Sequence, residues 1–470
     1  MTGKDKLAPS STTPENRPGA RARLDLHDWA PDDLRRTFME DIQRGFELLK
    51  KLPPAISFFG GARIKPDDPY YALSKEIGRR LAESGVPPRT GGGPGIMSSV
   101  PEGYKEGLQR APADHPAHFH PVISGFSEQA AKEDHRTQGF NIVLPHEQAL
   151  NPAIDVSEEL QLFPYRKLAL YENVRGVVTF PGGFGTLDEL FEVWSLAARG
   201  HHNDPLAAVG VEFWGPILDA VERVAVKDRA LISPDDFARM KLTDDVDALM
   251  NHLGDAHGVR GFEGDPDQLA AQLSQEISDA IDVLDDLPEA VTFIGGRGLA
   301  ADDAACQAAR AAAEALTRAG VPLRVGGLGA PAAAVAQGAR AADAGAEVQG
   351  FIIEAEDGGK RLDGVKVHMS VMHPITHKQL VGRRNQAFVA LPGGLGGLDE
   401  LFTVLCQVQT GKLPRMPLVL VGKDYWQPIL DAIRAQMLSG SRQTIAPGDL
   451  ELVTVTDDPD EITRLITSLD

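Results

Sequence analysis

Short apolar runs alternate along the chain with longer stretches whose apolar residues recur at helical spacing. The clearest short runs lie at residues 56–59, 177–180, 291–294 and 388–391, and a glycine or proline closely follows each of them. Runs of this kind are typical of buried strands, and the stretches of ten or more residues between them are typical of helices. Strand–helix alternation predicts right-handed crossovers and parallel sheets covered on both faces, an α/β, doubly wound architecture.

The alternating pattern occurs twice. ISFFGGAR at 56–63 matches VTFIGGRG at 291–298, and PGGFGTLDE at 181–189 returns as PGGLGGLDE at 392–400. The offset falls from 235 to 211 between these pairs, so the first copy carries 24 extra residues between Gly103 and Gly139. Such a repeat predicts two tandem domains.

We place the two domains and their connections from composition and from the limits of the repeat. Domain one is expected at 30–258, a glycine-containing linker at 259–265 and domain two at 266–470. Residues 1–29 are rich in Ser, Thr, Pro, Gly and Arg and have little to bury, so we expect a disordered tail. The histidines of the 24-residue insertion have no regular ligand spacing, and no metal site is expected.

Composition excludes several classes of function. The formal net charge of −20 argues against a nucleic acid partner, which would need a basic surface. No apolar run approaches 18 residues, so no membrane partner is expected. The chain has only two cysteines, Cys306 and Cys406, and a reducing cytoplasmic location is the simpler interpretation. Both lie in apolar helical stretches and are expected to be buried thiols.

Two glycine-rich turns could hold a small anion. GGGPG at 91–95 and GGFGT at 182–186 can approach a ligand without obstruction by Cβ, and each precedes a predicted helix. The N-terminus of a helix offers free N–H groups and a positive dipole end to a phosphate. Thr186 adds a hydroxyl and a cap-like helix start. Tight packing of the turns against the sheet is the alternative.

Several ordered motifs in domain one resemble one known family. They are FFGGAR at 58–63, GGGPGIM at 91–97, GFNIVLPHEQ at 139–148, YRK at 165–167 and PGGFGTLDE at 181–189. Over about 140 residues this domain resembles the Lonely Guy (LOG) family of Rossmann-like proteins, once labelled lysine decarboxylases. The resemblance implies hydrolysis of a nucleoside 5′-monophosphate, such as a cytokinin riboside monophosphate or an AMP-like nucleotide. The products would be the free base and ribose 5-phosphate, with no cofactor.

The resemblance also implies roles for individual residues. Arg166 and Glu189 would be catalytic, although a surface ion pair and an ordinary acid at a helix start are the alternatives. Lys167 could equally be a solvated cation, and Glu147 and Asn151 could merely hold their loop. The substrate-binding residues implied are Gly60, Arg63, Gly91, Gly92, Gly93, Gly95, Met97, Glu147, Asn151, Lys167, Gly182, Gly183, Gly185 and Thr186.

Domain two keeps the scaffold but changes the chemistry. Gly397 stands at the position of Thr186 and His377 at that of Arg166, so we expect domain two to be catalytically weak or inactive. LOG proteins are typically homodimers, and the fused copies are therefore expected to form a pseudo-dimer within one chain, with further homo-oligomerisation open. The alternative to an enzyme is a protein that binds or senses a nucleotide or molybdenum cofactor without hydrolysis.

Overall fold

The computed structural model describes residues 29–110, 136–143, 150–201, 203–254, 264–440 and 442–468. The predicted tail apart from Trp29, most of the predicted linker, most of the 24-residue insertion, and Glu147 lie outside the described residues. Within the described residues no helix is long and apolar enough to cross a membrane.

Domain one contains seven strands and the helices that connect them. A helix such as α2 begins where Asp68 caps its first turn ahead of Pro69, and it ends at Gly85, whose φ is +70°. The elements are α1 Pro31–Leu49, β1 Ala55–Phe59, α2 Pro69–Ser84, β2 Pro88–Thr90, α3 Ile96–Arg110, β3 Gln138–Ile142, β4 Val156–Leu160, α4 Phe163–Tyr171, β5 Val174–Thr179, α5 Phe184–Ala198, β6 Leu206–Ala208, α6 Val211–Val221 with a π-helical turn at Glu222–Lys227, α7 Pro234–Phe237, β7 Met240–Leu242 and α8 Val246–Gly254.

Domain two repeats nearly the same order of elements. They are α9 Pro266–Asp285, β8 Ala290–Ile294, α10 Ala304–Arg318, β9 Leu323–Gly326, α11 Ala330–Ala342, β10 Val348–Ile353, α12 Glu354–Asp357, β11 Val365–Val371, α13 Pro374–Gly382, β12 Asn385–Ala390, α14 Leu395–Gln409, β13 Leu418–Leu420, α15 Lys423–Ile433 with a π-helical turn at Arg434–Leu438, a 3₁₀ helix at Pro447–Leu452, β14 Val453–Val455 and α16 Pro459–Thr467.

Each domain holds one seven-stranded sheet in which every described pairing is parallel. The strand order is β4-β3-β2-β1-β5-β6-β7 in domain one and β11-β10-β9-β8-β12-β13-β14 in domain two. The order reverses direction between β1 and β5, and between β8 and β12. A doubly wound sheet binds ligands at the carboxyl ends of its strands beside this switch point. The prediction of two parallel-sheet α/β domains is confirmed.

The two domains share one continuous apolar core. Helices α5 and α14 pack on each other, as do α1 and α9, and a single cluster of buried side chains runs through both domains. Phe191 of α5 stacks on its counterpart Phe402 of α14, with ring centroids 5.3 Å apart and ring planes within 8°. Because equivalent helices meet, the domains pack as a pseudo-symmetric pair.

Candidate active site

A cavity of about 600 Å³ opens at the switch point of domain one. Its floor is the pair of turns that follow β1 and β5, which are joined by a 2.9 Å hydrogen bond from the Gly61 N–H to the Pro181 carbonyl. Nine residues implied by the family resemblance line this cavity: Gly60, Arg63, Gly91, Met97, Arg166, Gly183, Gly185, Thr186 and Glu189.

A buried ion pair forms the centre of this cavity wall. Arg166 Nη1 donates to Glu189 Oε1 at 2.6 Å, and both residues are less than one tenth exposed. Arg166 Nε also donates to the Phe140 carbonyl at 3.3 Å, which fixes the plane of the guanidinium. Burial raises the pKa of Glu189, and the neighbouring guanidinium opposes that rise. The Glu189 carboxylate is therefore poorly solvated and has one charged hydrogen-bond partner, Arg166.

The second glycine turn presents the start of α5 to the cavity. Gly183 is the N-cap residue and the helix begins at Phe184, so Thr186 lies inside the first turn and makes no cap. This corrects the expectation of a cap-like role for Thr186. A Cβ on Gly182 would strike the Thr186 side chain, which shows that this hydroxyl lies against the turn. The exposed N–H groups of the first turn remain suited to an anion.

The first glycine turn serves mainly packing within the protein. A Cβ on Gly91 would collide with the Arg166 guanidinium, and one on Gly95 would collide with the Gly61 carbonyl. Gly92 and Gly95 have φ values of +75° and +70°, which disfavour other residues. Gly92, Gly93 and Gly95 are not among the residues that line the cavity. The packing alternative therefore describes most of this turn.

Asn151 holds its own loop against that turn. Its N–H donates to the Gly92 carbonyl at 2.9 Å, and its Oδ1 accepts from the Ala153 N–H at 2.9 Å. Its Nδ2 donates to the Met97 carbonyl at 3.3 Å. With these contacts the Asn151 side chain supports the cavity from behind and does not line it.

Lys167 is neither solvated nor in the cavity, because it belongs to a buried ionic cluster between the domains. Its ammonium lies 2.7 Å from Asp188 and 2.6 Å from Glu192. Lys378 of domain two lies 2.6 Å from the same Glu192 and 3.1 Å from Asp399. The three carboxylates are close enough to share a metal ion, but two ammonium groups already lie among them. We interpret this cluster as an interdomain contact.

Domain two completes the wall of the cavity. The residues it contributes are Cys406, Gln409, Thr410, Gly411, Thr444 and Asp449. Sequence reasoning missed them because they carry no motif and lie more than 200 residues from Glu189. The expected pseudo-dimer was the feature of the sequence analysis that could have indicated a contribution from domain two to this cavity. Helix α5 begins at the cavity of domain one and ends at the cavity of domain two. Conversely, helix α14 begins at the cavity of domain two and ends at the cavity of domain one.

The corresponding cavity of domain two is smaller, at about 260 Å³. His377 occupies the place of Arg166: its Nδ1 lies 3.2 Å from Glu400 and its Nε2 lies 3.2 Å from the Phe351 carbonyl. Leu231 of domain one lies against Gly296 and Gly394, where the cavity of domain one has Thr444 beside Gly183. The other domain thus approaches the second glycine turn through its backbone in both cavities, and in domain two the Leu231 side chain also lies against Gly296.

The chain is similar to known proteins in both halves. A family model described as "possible lysine decarboxylase" matches residues 124–253 and 332–466, together more than half of the chain. A cytokinin riboside 5′-monophosphate phosphoribohydrolase of Mycobacterium tuberculosis is 34% identical over 87 residues, or 18% of this chain. The match spans 45% of that relative's length.

Among solved structures, the X-ray structure of the structural-genomics target TM1055 aligns with 41% of this chain and 94% of its own. It is 19% identical with a TM-score of 0.28, which is too low to support an argument. The two matched regions of the family model lie one in each domain, as the repeat requires. This chain therefore belongs to the LOG family, and it carries the family's sequence twice.

Proposed function

We propose that domain one hydrolyses the N-glycosidic bond of a nucleoside 5′-monophosphate and releases the free base and ribose 5-phosphate. The observation that carries this proposal is the buried Arg166–Glu189 pair, 2.6 Å apart, on the wall of a large cavity beside the start of α5. The name of the partly matching relative from Mycobacterium tuberculosis supports the same class of reaction.

The chemistry follows from where charge develops. As the bond between C1′ and the base nitrogen breaks, positive charge builds on the sugar, and the Glu189 carboxylate stabilises it. The same carboxylate can accept a proton from the water whose oxygen bonds to C1′. The base leaves with the electron pair of the broken bond and takes up a proton. Pairing with the Arg166 guanidinium favours the ionised form of the Glu189 carboxylate.

In this proposal the phosphate of the nucleotide binds at the start of α5. Gly183, Gly185 and Thr186 surround the first turn of α5, whose free N–H groups and positive dipole end attract a dianion. Ile142, Phe163 and Cys406 form a small apolar cluster on the wall of the same cavity, and Cys406 lies beside Gly185. A phosphate at the helix start would leave the rest of the cavity, whose lining includes Glu189, for the sugar and the base.

The first experiment incubates the full chain with a panel of nucleoside 5′-monophosphates, including an isopentenyl-adenosine form, and measures free base by chromatography. We expect base release from the wild type, and a loss of about a hundredfold or more in Glu189→Gln. The matched control is Glu400→Gln, the same change at the equivalent position of domain two, which should leave the rate unchanged. Equal losses in both variants would contradict the assignment of the reaction to domain one.

Domain two is expected to contribute no turnover of its own. Its His377, which lies beside Glu400 at the place of Arg166, cannot supply a permanent positive charge. If the wild type binds nucleotides tightly and releases no base from any of them, the alternative of a binding or sensing protein replaces the enzyme.

A further inference from the structure

The cavity of domain two is lined by two arginines whose equivalent residues in domain one are uncharged. Arg297 stands at the position of Ala62, and Arg199, the C-cap residue of α5, stands at the position of Thr410. Both line the cavity of domain two. Arg199 is supplied by domain one, so this cavity, like the other, is built from both halves of the chain.

The placement of Arg199 is unfavourable unless an anion accompanies it. Its Nη2 lies against Gly396, in the first turn of α14, so a guanidinium faces the positive end of a helix. The anion shared by both arginines in the structure is Glu356, whose Oε1 lies 2.9 Å from Arg199 Nε and whose Oε2 is bound by Arg297. Arg297 Nη2 also lies 3.3 Å from the buried carboxylate of Asp357. A carboxylate from the short helix α12 thus lies where two guanidinium groups and a helix start converge.

Two further features of this cavity indicate room for a polar ligand. The Ser195 hydroxyl is fully buried without a hydrogen-bond partner among the described residues, and it lies 3.7 Å from where a Cβ on Gly396 would be. A buried hydroxyl without a partner is costly and calls for an explanation. Gly397 leaves open space where domain one has the Thr186 side chain: apart from its own helix backbone, no described atom lies within 4 Å of a Cβ built on it.

We propose that the cavity of domain two is a second, non-catalytic site for a compact phosphate-bearing molecule, whose phosphate displaces Glu356 from Arg199 and Arg297. Phosphate oxygens accept paired hydrogen bonds from guanidinium more effectively than a single carboxylate does, because phosphate carries more charge and more acceptors. The helix start of α14 and the Ser195 hydroxyl supply the remaining donors. The volume of about 260 Å³ suits a diphosphate or a small phosphate ester.

The test is calorimetric titration of the full chain with inorganic pyrophosphate. We expect saturable binding that weakens about tenfold or more in Arg297→Met, because a charge-assisted hydrogen bond is lost. Glu356→Gln should bind about tenfold more tightly, because the neutral amide competes less for the two guanidinium groups. Pyrophosphate can also bind at the helix start in domain one, so Arg63→Met, which removes a charge from that cavity, should leave the Arg297-dependent binding event unchanged.

The proposal is overturned if the wild type binds no pyrophosphate at millimolar concentration. It is equally overturned if binding survives intact in Arg297→Met or is lost in Arg63→Met, since the ion would then lie elsewhere. The side chain of Arg297 is 38% exposed, so its replacement should not prevent folding, which thermal unfolding of each variant verifies. No arm of this test uses turnover, so its failure is distinct from failure of the proposed hydrolysis.

Discussion

Asp41 connects the first helix of domain one to the helix that carries Arg166. It is 1% exposed, and its Oδ2 accepts the N–H groups of Gln161 and Leu162, each at 2.8 Å. Leu162 is the N-cap residue of α4, whose own side chain can offer no cap. A carboxylate from α1 therefore holds the two residues that precede α4, which lie more than 100 residues further along the chain.

Two substitutions of Asp41 separate the effect of its hydrogen-bond acceptor from the effect of its charge. Asp41→Ala leaves the N–H groups of Gln161 and Leu162 without this acceptor, so we expect it to be about 3 kcal/mol less stable than Asp41→Asn. Burial raises the pKa of Asp41 to about 6 despite these hydrogen bonds and Arg44. That rise corresponds to roughly 3 kcal/mol of unfavourable ionisation. Asp41→Asn keeps an acceptor and has no charge to bury.

The pH dependence follows from the direction of this pKa. The folded value of about 6 lies above the unfolded value of 3.8, so the ionisation penalty is absent at lower pH and develops fully above about pH 6. Asp41→Asn, like Asp41→Ala, should therefore gain up to about 3 kcal/mol on the wild type as pH rises through this window. Urea unfolding at several pH values measures both effects. Equal destabilisation by Ala and Asn at pH 7.5 would refute the reasoning.

Glu276 provides the matched control for Asp41 in domain two. It accepts the Met372 N–H at 2.6 Å and lies 2.9 Å from His373 Nδ1, so it holds the helix that carries His377 in the same way. Glu276→Ala should lower stability, but only Asp41→Ala should also lower base release by domain one, because only Asp41 positions Arg166. An equal fall in base release in both variants would contradict this positioning role.

Three further predictions concern single sites. Gly91→Ala should lower base release by about tenfold or more, because its Cβ would displace the Arg166 guanidinium from Glu189. Lys378→Met should cost about 3–5 kcal/mol in denaturant unfolding, because Glu192 loses one of two buried cations; a loss below about 1 kcal/mol would contradict the buried-pair interpretation. Burial raises the pKa of Glu276, but His373 and the Met372 N–H outweigh it and the pKa falls. Glu276→Gln should therefore be more destabilising than the Asn variant of Asp41 at neutral pH, with the difference shrinking as pH falls through the carboxyl range.

Local patterns were sufficient for the fold, and the family resemblance named two residues that the structure brings together. The run at 177–180 predicted a strand that the structure has as β5, Val174–Thr179, and the glycine turn after it predicted the start of α5. Such features depend on residues close in sequence, because strand burial, helix periodicity and turn geometry are local constraints. The resemblance to the LOG family likewise implied Arg166 and Glu189 as a functional pair, and they lie 2.6 Å apart.

The roles of individual side chains, unlike the strands and helices, depend on how the two domains pack together. Lys167 follows Arg166 directly, yet their side chains reach different surroundings, one an interdomain ionic cluster and the other a cavity. Gly91 and Gly95 belong to one glycine motif, but a different group leaves no room for a Cβ at each of them. That group is the Arg166 guanidinium at Gly91 and the Gly61 carbonyl at Gly95. Neither distinction has a signal in the order of residues.

The sequence by itself determined the two parallel-sheet domains, the duplication and the divergence of the second copy. Only the tertiary structure decided that Thr410 and Thr444 line one cavity while Arg199 and Leu231 enter the other. The physical reason is that solvation and charge pairing depend on neighbours in space. Those neighbours come from helices α5 and α14, each of which begins at one cavity and ends at the other, so each domain sets the chemistry of its partner's site.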